Sequence, residues 1–477
     1  MRFRTTLILL LVLAGLGAYL YWVERPREQK EAEAKKLFSL KPEDVVEVHL
    51  RFQDREILLR KSGETWRLVQ PIDAPADEIT VKNLLNTIAE CEVKRELEDA
   101  ADLKQFGLDP PFVTLEVKLK DRTLPAVAVG KNTPVGFSAY LQRLDDKKVR
   151  LTTSAFRAGL DKQVKDVRDK AILNFADDDV QRFSVVRADG TITVTRKDGQ
   201  WTIEQPGSYP ADTPTVRSFL STLRTMRAID FPNDQPTDLS PYGLDNPRLR
   251  VVLFLGKDQA EKHVLIGKEN PEKNTEIYVQ TSGLPTIYTV SDWVWRDLNK
   301  SVGDFRDKTV LAYDQEQVQA VEVVREDGQQ YRLVRQDKDQ WAPQGVDGKP
   351  AGTTIRQWLQ DVHDLRGFEV AADNPSDLKP YGLDKPLLTI RLFGAENQEL
   401  GEIRIGVATT EQGTKEYYAL GSKAATVFKV RDYLVTRLNK SAQDFIEKPT
   451  PTPGGATPTP DEDEEDSGDM LDEETLD

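Results

Sequence analysis

Few side chains in this sequence have the types and spacing that catalysis or metal binding needs. The three histidines, His49, His263 and His363, occupy different positions within the internal repeats described below, so no histidine site recurs. A metal site or a catalytic triad needs a histidine that converges with carboxylate, thiol or hydroxyl partners, and the spacing here indicates no such convergence. We therefore expect no catalytic residue, no metal site and no cofactor.

Other short motifs are also incomplete. Gly136-Phe-Ser-Ala-Tyr140 lacks the second glycine of a hydrolase nucleophile elbow and occurs only once. The single cysteine, Cys91, falls in an amphipathic helical stretch, where we expect a buried small apolar residue rather than a nucleophile. The acidic run Asp177–Asp179 joins two repeats and is expected to be a solvated junction, with a calcium site as the alternative.

The strongest pattern is a ten-residue signature that occurs three times. The copies are Asp102-Leu-Lys-Gln-Phe-Gly-Leu-Asp-Pro-Pro111, Asp238-Leu-Ser-Pro-Tyr-Gly-Leu-Asp-Asn-Pro247 and Asp377-Leu-Lys-Pro-Tyr-Gly-Leu-Asp-Lys-Pro386. Their first residues are 136 and 139 positions apart, and Trp66, Trp201 and Trp341 keep nearly the same period. Because roughly 100–150 residues can close a core, a repeat of this length indicates a domain.

Each signature predicts a tight turn fixed to the core. We expect its glycine at positive φ, where only glycine avoids Cβ strain, and its second aspartate to accept a hydrogen bond from the backbone two residues on. The aromatic residue and the leucine should pack on the core, and the following proline suits the first residue of an edge strand. A ligand site at the aspartates is the alternative. The predicted structural residues are Phe106, Gly107, Leu108, Asp109, Tyr242, Gly243, Leu244, Asp245, Tyr381, Gly382, Leu383 and Asp384.

The elements around each signature follow one order: strands, a helix, more strands and a short closing helix. Apolar residues with helical spacing mark the first helix of each repeat. They are Val81, Leu84, Leu85, Ile88 and Ala89, then Val216, Phe219, Leu220 and Leu223, then Ile355, Trp358, Leu359 and Val362. The sequence therefore predicts an α+β fold of three tandem repeat domains, each a mainly antiparallel sheet with helices, after an N-terminal transmembrane helix.

The transmembrane helix is predicted at residues 5–23, which carry no charge. Nineteen helical residues span roughly 28 Å, about the thickness of a hydrocarbon core. Bulky Tyr19, Tyr21 and Trp22 occupy the place of a small-residue cleavage site, so an uncleaved anchor is favoured over a cleaved signal peptide. We expect a single-pass protein of the inner (cytoplasmic) membrane whose body faces the periplasm or the cell exterior.

The sequence divides into a signal anchor at 1–23, a helical stalk at 24–41, repeat domains at 42–175, 176–313 and 314–448, and an acidic tail at 449–477. Eleven acids in residues 461–477 account for most of the net charge of −15 and leave −4 for the rest. The tail lacks the apolar residues that would offset the entropy of ordering it, so we expect disorder. We expect no nucleic-acid partner.

These elements together resemble a bacterial family called domain of unknown function 4340. The resemblance rests on the Tyr-Gly-Leu-Asp-x-Pro element, the strand with the tryptophan, the Ile-Gly strands at Gly267 and Gly406, and the closing Phe-Arg-Asp-Lys at 305–308. It covers about residues 42–448. The first copy departs at Phe106 and Pro110, and the third lacks the Arg-Asp pair.

The resemblance implies a membrane-anchored extracytoplasmic protein, often encoded beside ABC-type transport components of the gliding-motility kind, with no known catalytic residue. We therefore expect a non-catalytic interaction protein accessory to such an envelope complex. The alternative is a cell-wall or polysaccharide binding module, and an enzyme comes third. The Arg-Asp-Lys elements that begin at Arg168 and Arg306 are expected to salt-bridge adjacent domains, with anion binding as the alternative.

Overall fold

The computed structural model describes residues 13, 21, 33, 35–97, 102–146 and 148–447. The predicted membrane span at 5–23, apart from Leu13 and Tyr21, and the acidic tail at 449–477 lie outside the described residues. Within the described part of the chain, no helix is long and apolar enough to cross a membrane. The chain divides into two compact units, Met1–Phe305 and Arg306–Asp477.

The first repeat forms a nine-stranded antiparallel sheet with the order β4-β3-β2-β1-β6-β7-β8-β9-β5. Its strands are β1 Val45–Phe52, β2 Glu56–Ser62, β3 Thr65–Gln70, β4 Ala74–Pro75, β5 Arg95–Glu96, β6 Val113–Leu119, β7 Val127–Asn132, β8 Ser138–Arg143 and β9 Val149–Thr153. Its helices are α1 Glu78–Ala89, α2 Ser154–Leu160 and α3 Val164–Val167.

The second repeat, in the same unit, has the same strand order, β13-β12-β11-β10-β15-β16-β17-β18-β14. Its strands are β10 Val180–Arg187, β11 Gly190–Lys197, β12 Gln200–Gln205, β13 Tyr209–Pro210, β14 Asp230–Asn233, β15 Leu249–Leu255, β16 Ala260–Asn270, β17 Lys273–Thr281 and β18 Ile287–Ser291. Its helices are α4 Thr213–Thr225, α5 Trp293–Leu298 and α6 Val302–Phe305.

The third repeat, in the second unit, has an eight-stranded sheet with the order β21-β20-β19-β23-β24-β25-β26-β22. Its strands are β19 Ala320–Arg325, β20 Gln330–Asp337, β21 Gln340–Pro343, β22 Glu369–Asp373, β23 Leu388–Phe393, β24 Glu399–Thr409, β25 Lys415–Gly421 and β26 Thr426–Val430. Its helices are α7 Gly352–His363 and α8 Asp432–Leu438. Among its described residues, the third sheet has no counterpart of the edge strands β4 and β13.

The main core of each repeat lies between the sheet and its helices. Every apolar residue predicted on the inner faces of α1, α4 and α7 is buried. Helices α1 and α4 begin at Asp77 and Asp212, whose carboxylates accept hydrogen bonds from the backbone amides of Thr80 and Thr215. Such caps satisfy amides that have no partner within the helix. The α+β prediction is confirmed, with more strand than helix.

The three tryptophans of the period are core residues. Trp66, Trp201 and Trp341 keep 6%, 7% and 6% of their surface exposed, each on the strand that runs under the first helix. In the second repeat, the Phe183 ring stacks on Phe219 with ring centroids 5.1 Å apart. The regular spacing of the tryptophans therefore reflects the same packing of a helix on a sheet in each repeat.

Three predictions about local structure were wrong. The proline that ends each signature does not begin an edge strand, because β6, β15 and β23 are paired on both sides. Each proline lies two residues before its strand, so the missing N–H removes no hydrogen bond from the ladder. Leu37 and Phe38, assigned to the stalk, are instead buried in the first core. Cys91 follows the end of α1 rather than lying within it.

Candidate functional site

The signature segment carries the chain across the outer face of each sheet. In the first repeat it connects β5, at one edge, to the central strand β6, and it therefore crosses β9, β8 and β7. It packs there in a small cluster with Ala128 of β7, Tyr140 of β8 and Val149 of β9. The predicted signature residues thus cover the face of the sheet opposite the helices.

The glycine of each signature has the backbone conformation that the sequence predicts. Gly107, Gly243 and Gly382 have φ values of 65°, 64° and 64°, each at the end of a short 3-10 turn. A residue with a Cβ atom is strained in this left-handed region. The glycines therefore allow the chain to turn back toward the sheet.

The aspartate hydrogen bond forms at the first aspartate of the signature, not at the second. The carboxylates of Asp102, Asp238 and Asp377 accept from the amides of Lys104, Ser240 and Lys379, two residues on. These bonds start the 3-10 turn, which explains the aspartate at this position. The predicted bond at the second aspartates, Asp109, Asp245 and Asp384, was wrong, because the residue two positions on is a proline, which has no N–H to donate.

The aromatic residue and the leucine of each signature anchor it to the sheet. Leu108, Leu244 and Leu383 keep 5%, 2% and 1% of their surface exposed. The aromatic residues pack edge-on or tilted against a tyrosine of the sheet at 4.9–5.2 Å between ring centroids, an arrangement typical of aromatic pairs. The pairs are Phe106 with Tyr140, Tyr242 with Tyr278, and Tyr381 with Tyr418.

A second repeated glycine makes the crossing possible. A Cβ atom at Gly130, Gly267 or Gly406 would lie 2.2 Å from the carbonyl oxygen of the signature's aromatic residue. Real Cβ atoms do not approach a backbone oxygen this closely, so only glycine fits on the strand below the crossing chain. The Val-Gly or Ile-Gly element therefore recurs together with the signature because the two segments contact each other in every repeat.

The first Arg-Asp-Lys element joins the first two repeats within one compact unit. Arg168, 7% exposed, donates to both carboxylate oxygens of Asp234 at 2.8 and 3.2 Å. Its guanidinium lies 3.8 Å from the centroid of the Phe231 ring. The amide of Ala228 donates to the carbonyl of Lys170 at 2.8 Å. We call these contacts the junction, and they provide the predicted ion pair between adjacent domains.

Two further ion pairs flank the junction. Lys165 donates to Asp230 at 2.9 Å, and Arg227 donates to Asp77, the cap of α1, at 3.1 Å. Burial would raise the pKa of Asp230, but hydrogen bonds from Lys165 and from the amide of Phe231 hold it below its usual value. The junction is therefore built from charges of opposite sign that face each other.

An equivalent cluster lies within the second unit. Arg306, 8% exposed, donates to both carboxylate oxygens of Asp373 at 2.7 and 2.6 Å and to Thr426 at 3.3 Å. Arg366 donates to Asp307 at 3.1 Å. At the corresponding place in the third copy, Ile446 is buried and has no side-chain charge. The third copy therefore has a buried apolar side chain where the first two copies have a buried arginine in an ion pair.

The histidines and the cysteine lie apart. His49 faces the carboxylates of Glu56 and Glu116 on an exposed sheet face. The imidazole of His363 packs against Tyr313 in the third repeat. Cys91 is 3% exposed, and burial raises the pKa of its thiol to about 12, which makes it a poor nucleophile. Among the described residues, no group of three or more His, Cys, Asp or Glu side chains could hold a metal ion.

A cavity of about 400 Å³ opens beside Trp341 in the third repeat. Arg335 lies in the lining, and its guanidinium is 5.1 Å from the centroid of the Trp341 ring. The same guanidinium donates to the carbonyls of Gln315 and Glu316, both at 3.1 Å. The Nε of Arg335 is buried and has no hydrogen-bond partner among the described residues. With Arg356 also in the lining, the cavity has the size and the donors to hold a small polar group.

A second cavity of the third repeat, about 470 Å³, is lined by aromatic and charged side chains. Phe368 and Tyr433 are 44% and 57% exposed, and Tyr417 is also in the lining. The Arg431 guanidinium stacks 4.7 Å from the centroid of the Phe368 ring. Exposed aromatic faces next to charged groups can bind sugars or polar peptide segments. We call this the aromatic cavity.

No sequence pattern indicated either cavity, because the lining residues come from distant segments. The one available signal was a basic residue opposite each tryptophan on the neighbouring strand. Lys61, Arg196 and Arg335 hold this position. This repeated pairing of a basic residue with a tryptophan was a signal for the end of the sheet where the Trp341 cavity lies.

The contact between crossing chain and sheet yields a test with three glycine-to-alanine variants of the second repeat. Gly267→Ala places a Cβ against the Tyr242 carbonyl, so we expect a loss of about 2–4 kcal/mol in the free energy of unfolding. Gly256→Ala, at φ 62° with open space around it, should cost only about 1 kcal/mol. Gly243→Ala combines positive φ with a 3.1 Å contact to Lys268 and should fall between them. Urea unfolding monitored by fluorescence gives the three values; equal losses at Gly267 and Gly256 would contradict the close contact.

The Arg306–Asp373 pair yields a pH test. The hydrogen bond from Arg306 lowers the pKa of Asp373 in the folded protein, so this carboxylate stabilises the fold above about pH 4. Its contribution should disappear as the pH falls through the folded pKa. We expect Asp373→Asn to lower the stability of the second unit at pH 7 and to flatten its loss between pH 4 and pH 2. Thermal unfolding at pH 7 and at several values between pH 4 and pH 2 measures the two effects; curves of stability against pH that run parallel for the variant and the original protein would contradict the assignment.

Comparison with known proteins gives one match. The family model described as domain of unknown function (DUF4340) matches residues 66–205, 201–366 and 351–450. No curated protein and no solved structure matches the chain. The matched segments together run through all three repeats and cover well over half of the sequence. The chain therefore belongs to the DUF4340 family, of which it contains three tandem copies.

Proposed function

We propose that this chain is a non-catalytic interaction protein, anchored in the inner membrane by residues 5–23, with its three repeats outside the cytoplasm. In this proposal it is an accessory subunit of an ABC-type transport or gliding-motility-like envelope complex. The observation that supports it best is the ion pair between the buried Arg168 and the half-buried Asp234, which joins the first two repeats.

An ion pair between a buried arginine and a half-buried carboxylate favours one geometry over others. The guanidinium of Arg168 is largely removed from water and needs the carboxylate in one place, so we infer that the pair serves mainly to specify an arrangement. The default for linked domains is relative motion. A junction with a 7% exposed Arg168 and two flanking ion pairs departs from that default.

A fixed arrangement of repeats suits a protein that presents surface to a partner. A specific interface needs about 800 Å² on each side, which two rigidly joined sheets supply more readily than one. Repeated modules also raise the effective concentration of each further contact after the first has formed. These are advantages for binding a large envelope complex and bring no benefit to a single reaction centre.

A polysaccharide-binding role is the second candidate, and the aromatic cavity favours it. Phe368, Tyr417 and Tyr433 supply ring faces, while Lys415 and Asp432 supply polar groups in the same lining. The residues that correspond to Phe368 and Tyr433 in the second repeat are Ile229 and Trp293, both exposed. A partly repeated exposed aromatic position is what a glycan-binding array would need.

Crosslinking in native membranes tests the proposal. Full-length protein should be crosslinked, solubilised in detergent and isolated, with bound proteins identified by mass spectrometry. We expect permease or ATPase subunits of an ABC-type transporter, and we expect their recovery to vanish when residues 176–448 are deleted. Recovery of peptidoglycan or polysaccharide alone, reduced by Phe368→Ala and Tyr433→Ala, would instead favour the second candidate.

The junction should be required for that recovery and can be tested separately. Asp234→Ala leaves the buried Arg168 guanidinium without its half-exposed carboxylate, which costs about 1–3 kcal/mol. Hydrogen exchange at the amide of Ala228, which donates to Lys170 across the two repeats, should then be about tenfold to a hundredfold faster, and partner recovery should fall.

Two variants control for this effect. Asp145→Ala removes an exposed partner of Arg143 and should leave both readouts within a fewfold of the original protein, because exposed pairs contribute about 1 kcal/mol or less. The double variant Arg168→Met with Asp234→Leu removes both charges and should restore slow exchange. Full partner recovery by Asp234→Ala, despite fast exchange, would show that binding does not need the fixed arrangement.

A further inference from the structure

The hairpin between β7 and β8 in the first repeat ends in exposed apolar side chains. Val135 and Phe137 are each 88% exposed, higher than any other large apolar residue among the described residues. We call residues 133–137 the apolar tip. Single exposed apolar residues are common on soluble proteins, whereas these two lie close together at the end of one hairpin and form a small apolar patch.

The apolar tip is held in shape by its own hydrogen bonds. The amide of Thr133 donates to the carbonyl of Ser138 at 2.9 Å, and the amide of Ser138 donates to the carbonyl of Gly136 at 3.0 Å. The Thr133 hydroxyl lies 2.9 Å from the carbonyl oxygen of Val135. Val135 and Phe137 therefore point outward from an ordered turn.

The corresponding hairpins of the other two repeats have no large apolar side chain at their ends. Pro271 and Glu272 connect β16 to β17, and Glu411 and Gln412 lie between β24 and β25, all of them exposed. The fold of the repeat therefore does not require apolar residues at this position. The apolar tip is specific to the first repeat.

The first repeat is also the one that receives the N-terminal segment, and it does so beside the apolar tip. The amide of Val93 donates to the carbonyl of Lys35 at 2.7 Å, which places Lys35 against residue 93. The next residue, Lys94, donates through Nζ to the carbonyl of Phe137 and to the hydroxyl of Ser138, both at 3.2 Å. Lys35 and the apolar tip therefore lie on the same side of the domain.

The length of chain between the uncharged segment and Lys35 limits how far this side can lie from a membrane. Eleven residues, 24–34, separate them. They span roughly 16 Å as a helix and at most about 40 Å when extended. Lys35, Lys94 and Lys131 are exposed on or near this side, with Glu33 and Glu92 as opposing charges. Exposed lysines are attracted to a membrane surface that contains anionic lipid such as phosphatidylglycerol.

We propose that the apolar tip inserts into the lipid interface and holds the first repeat against the membrane. The inference rests on the proposed anchor and adds a second lipid contact to it. Phenylalanine beside lysines is the composition of interfacial membrane-binding segments. With two contacts, the N-terminal helix and the apolar tip, the first repeat has a defined orientation on the membrane, and the second repeat follows through the junction.

Lipid-dependent quenching at the apolar tip tests this proposal in full-length protein. The protein is reconstituted in nanodiscs of phosphatidylethanolamine and phosphatidylglycerol, with or without doxyl-labelled lipid. Val135→Cys is labelled with an environment-sensitive fluorophore; the buried Cys91 thiol stays unlabelled. Glu272→Cys, at the same hairpin position of the second repeat, is the matched control.

We expect doxyl lipid to quench the label at position 135 at least about twofold more than the label at 272, with a blue-shifted emission at 135 alone. A label on Phe137→Cys should lose this difference when Val135 is changed to Asp, because a carboxylate is disfavoured in the apolar part of the interface. Equal quenching at 135 and 272 in protein that is incorporated in the discs would overturn the tip insertion and leave the anchor intact.

Two other outcomes are informative. Protein that does not enter the discs would remove the anchor and, with it, both proposals. A label at 135 that is unquenched in discs but becomes shielded in crosslinked native membranes would overturn lipid insertion and assign the apolar tip to a protein partner.

Discussion

The close contact between two backbone segments determines the architecture of each repeat. The chain must pass from an edge strand to the centre of the sheet, and it does so over the outer face of three strands. At the crossing, the carbonyl of Phe106, Tyr242 or Tyr381 lies on the glycine of the strand below. A side chain at that glycine would lift the signature off the sheet and expose the apolar cluster beneath it. The strand order, the covered face and the signature all depend on this contact.

The same contact explains why the signature is short and specific. Its first aspartate starts a 3-10 turn, its glycine reverses the chain, and its aromatic residue and leucine reach down to the sheet. On the outer face of the other half of the sheet, the described residues form ion pairs, such as Arg51 with Glu116. Each sheet thus has one face buried by helices and the other divided between an apolar cover and exposed charge.

The sequence predicted those elements whose residues interact locally. The helical faces, the glycine conformation, the buried tryptophans and the tandem repeats all follow from short-range periodicity or turn chemistry, and all agree with the structure. Edge strands such as β5, with two residues, have too few positions to show alternation. The proline after the signature suggested an edge because the crossing that leads to a central strand is not visible in a local pattern. The junction partners Arg168 and Asp234 are 66 positions apart, so the sequence indicated the arginine but not its carboxylate.

The boundaries of the family match do not coincide with the boundaries of the folded repeats. The first matched segment starts at Trp66, on the third strand of one sheet, and stops at Gln205, at the end of the third strand of the next. A fragment cut at these limits would hold β3 to β9 without β1, the strand that pairs with β6 at the centre of the sheet, and would carry an unfinished three-stranded piece of its neighbour. A self-sufficient unit begins near Lys35 for the first copy, where Leu37 and Phe38 complete the core. The second and third copies likewise need the two strands that precede their tryptophans, β10 and β11 in one and β19 and β20 in the other.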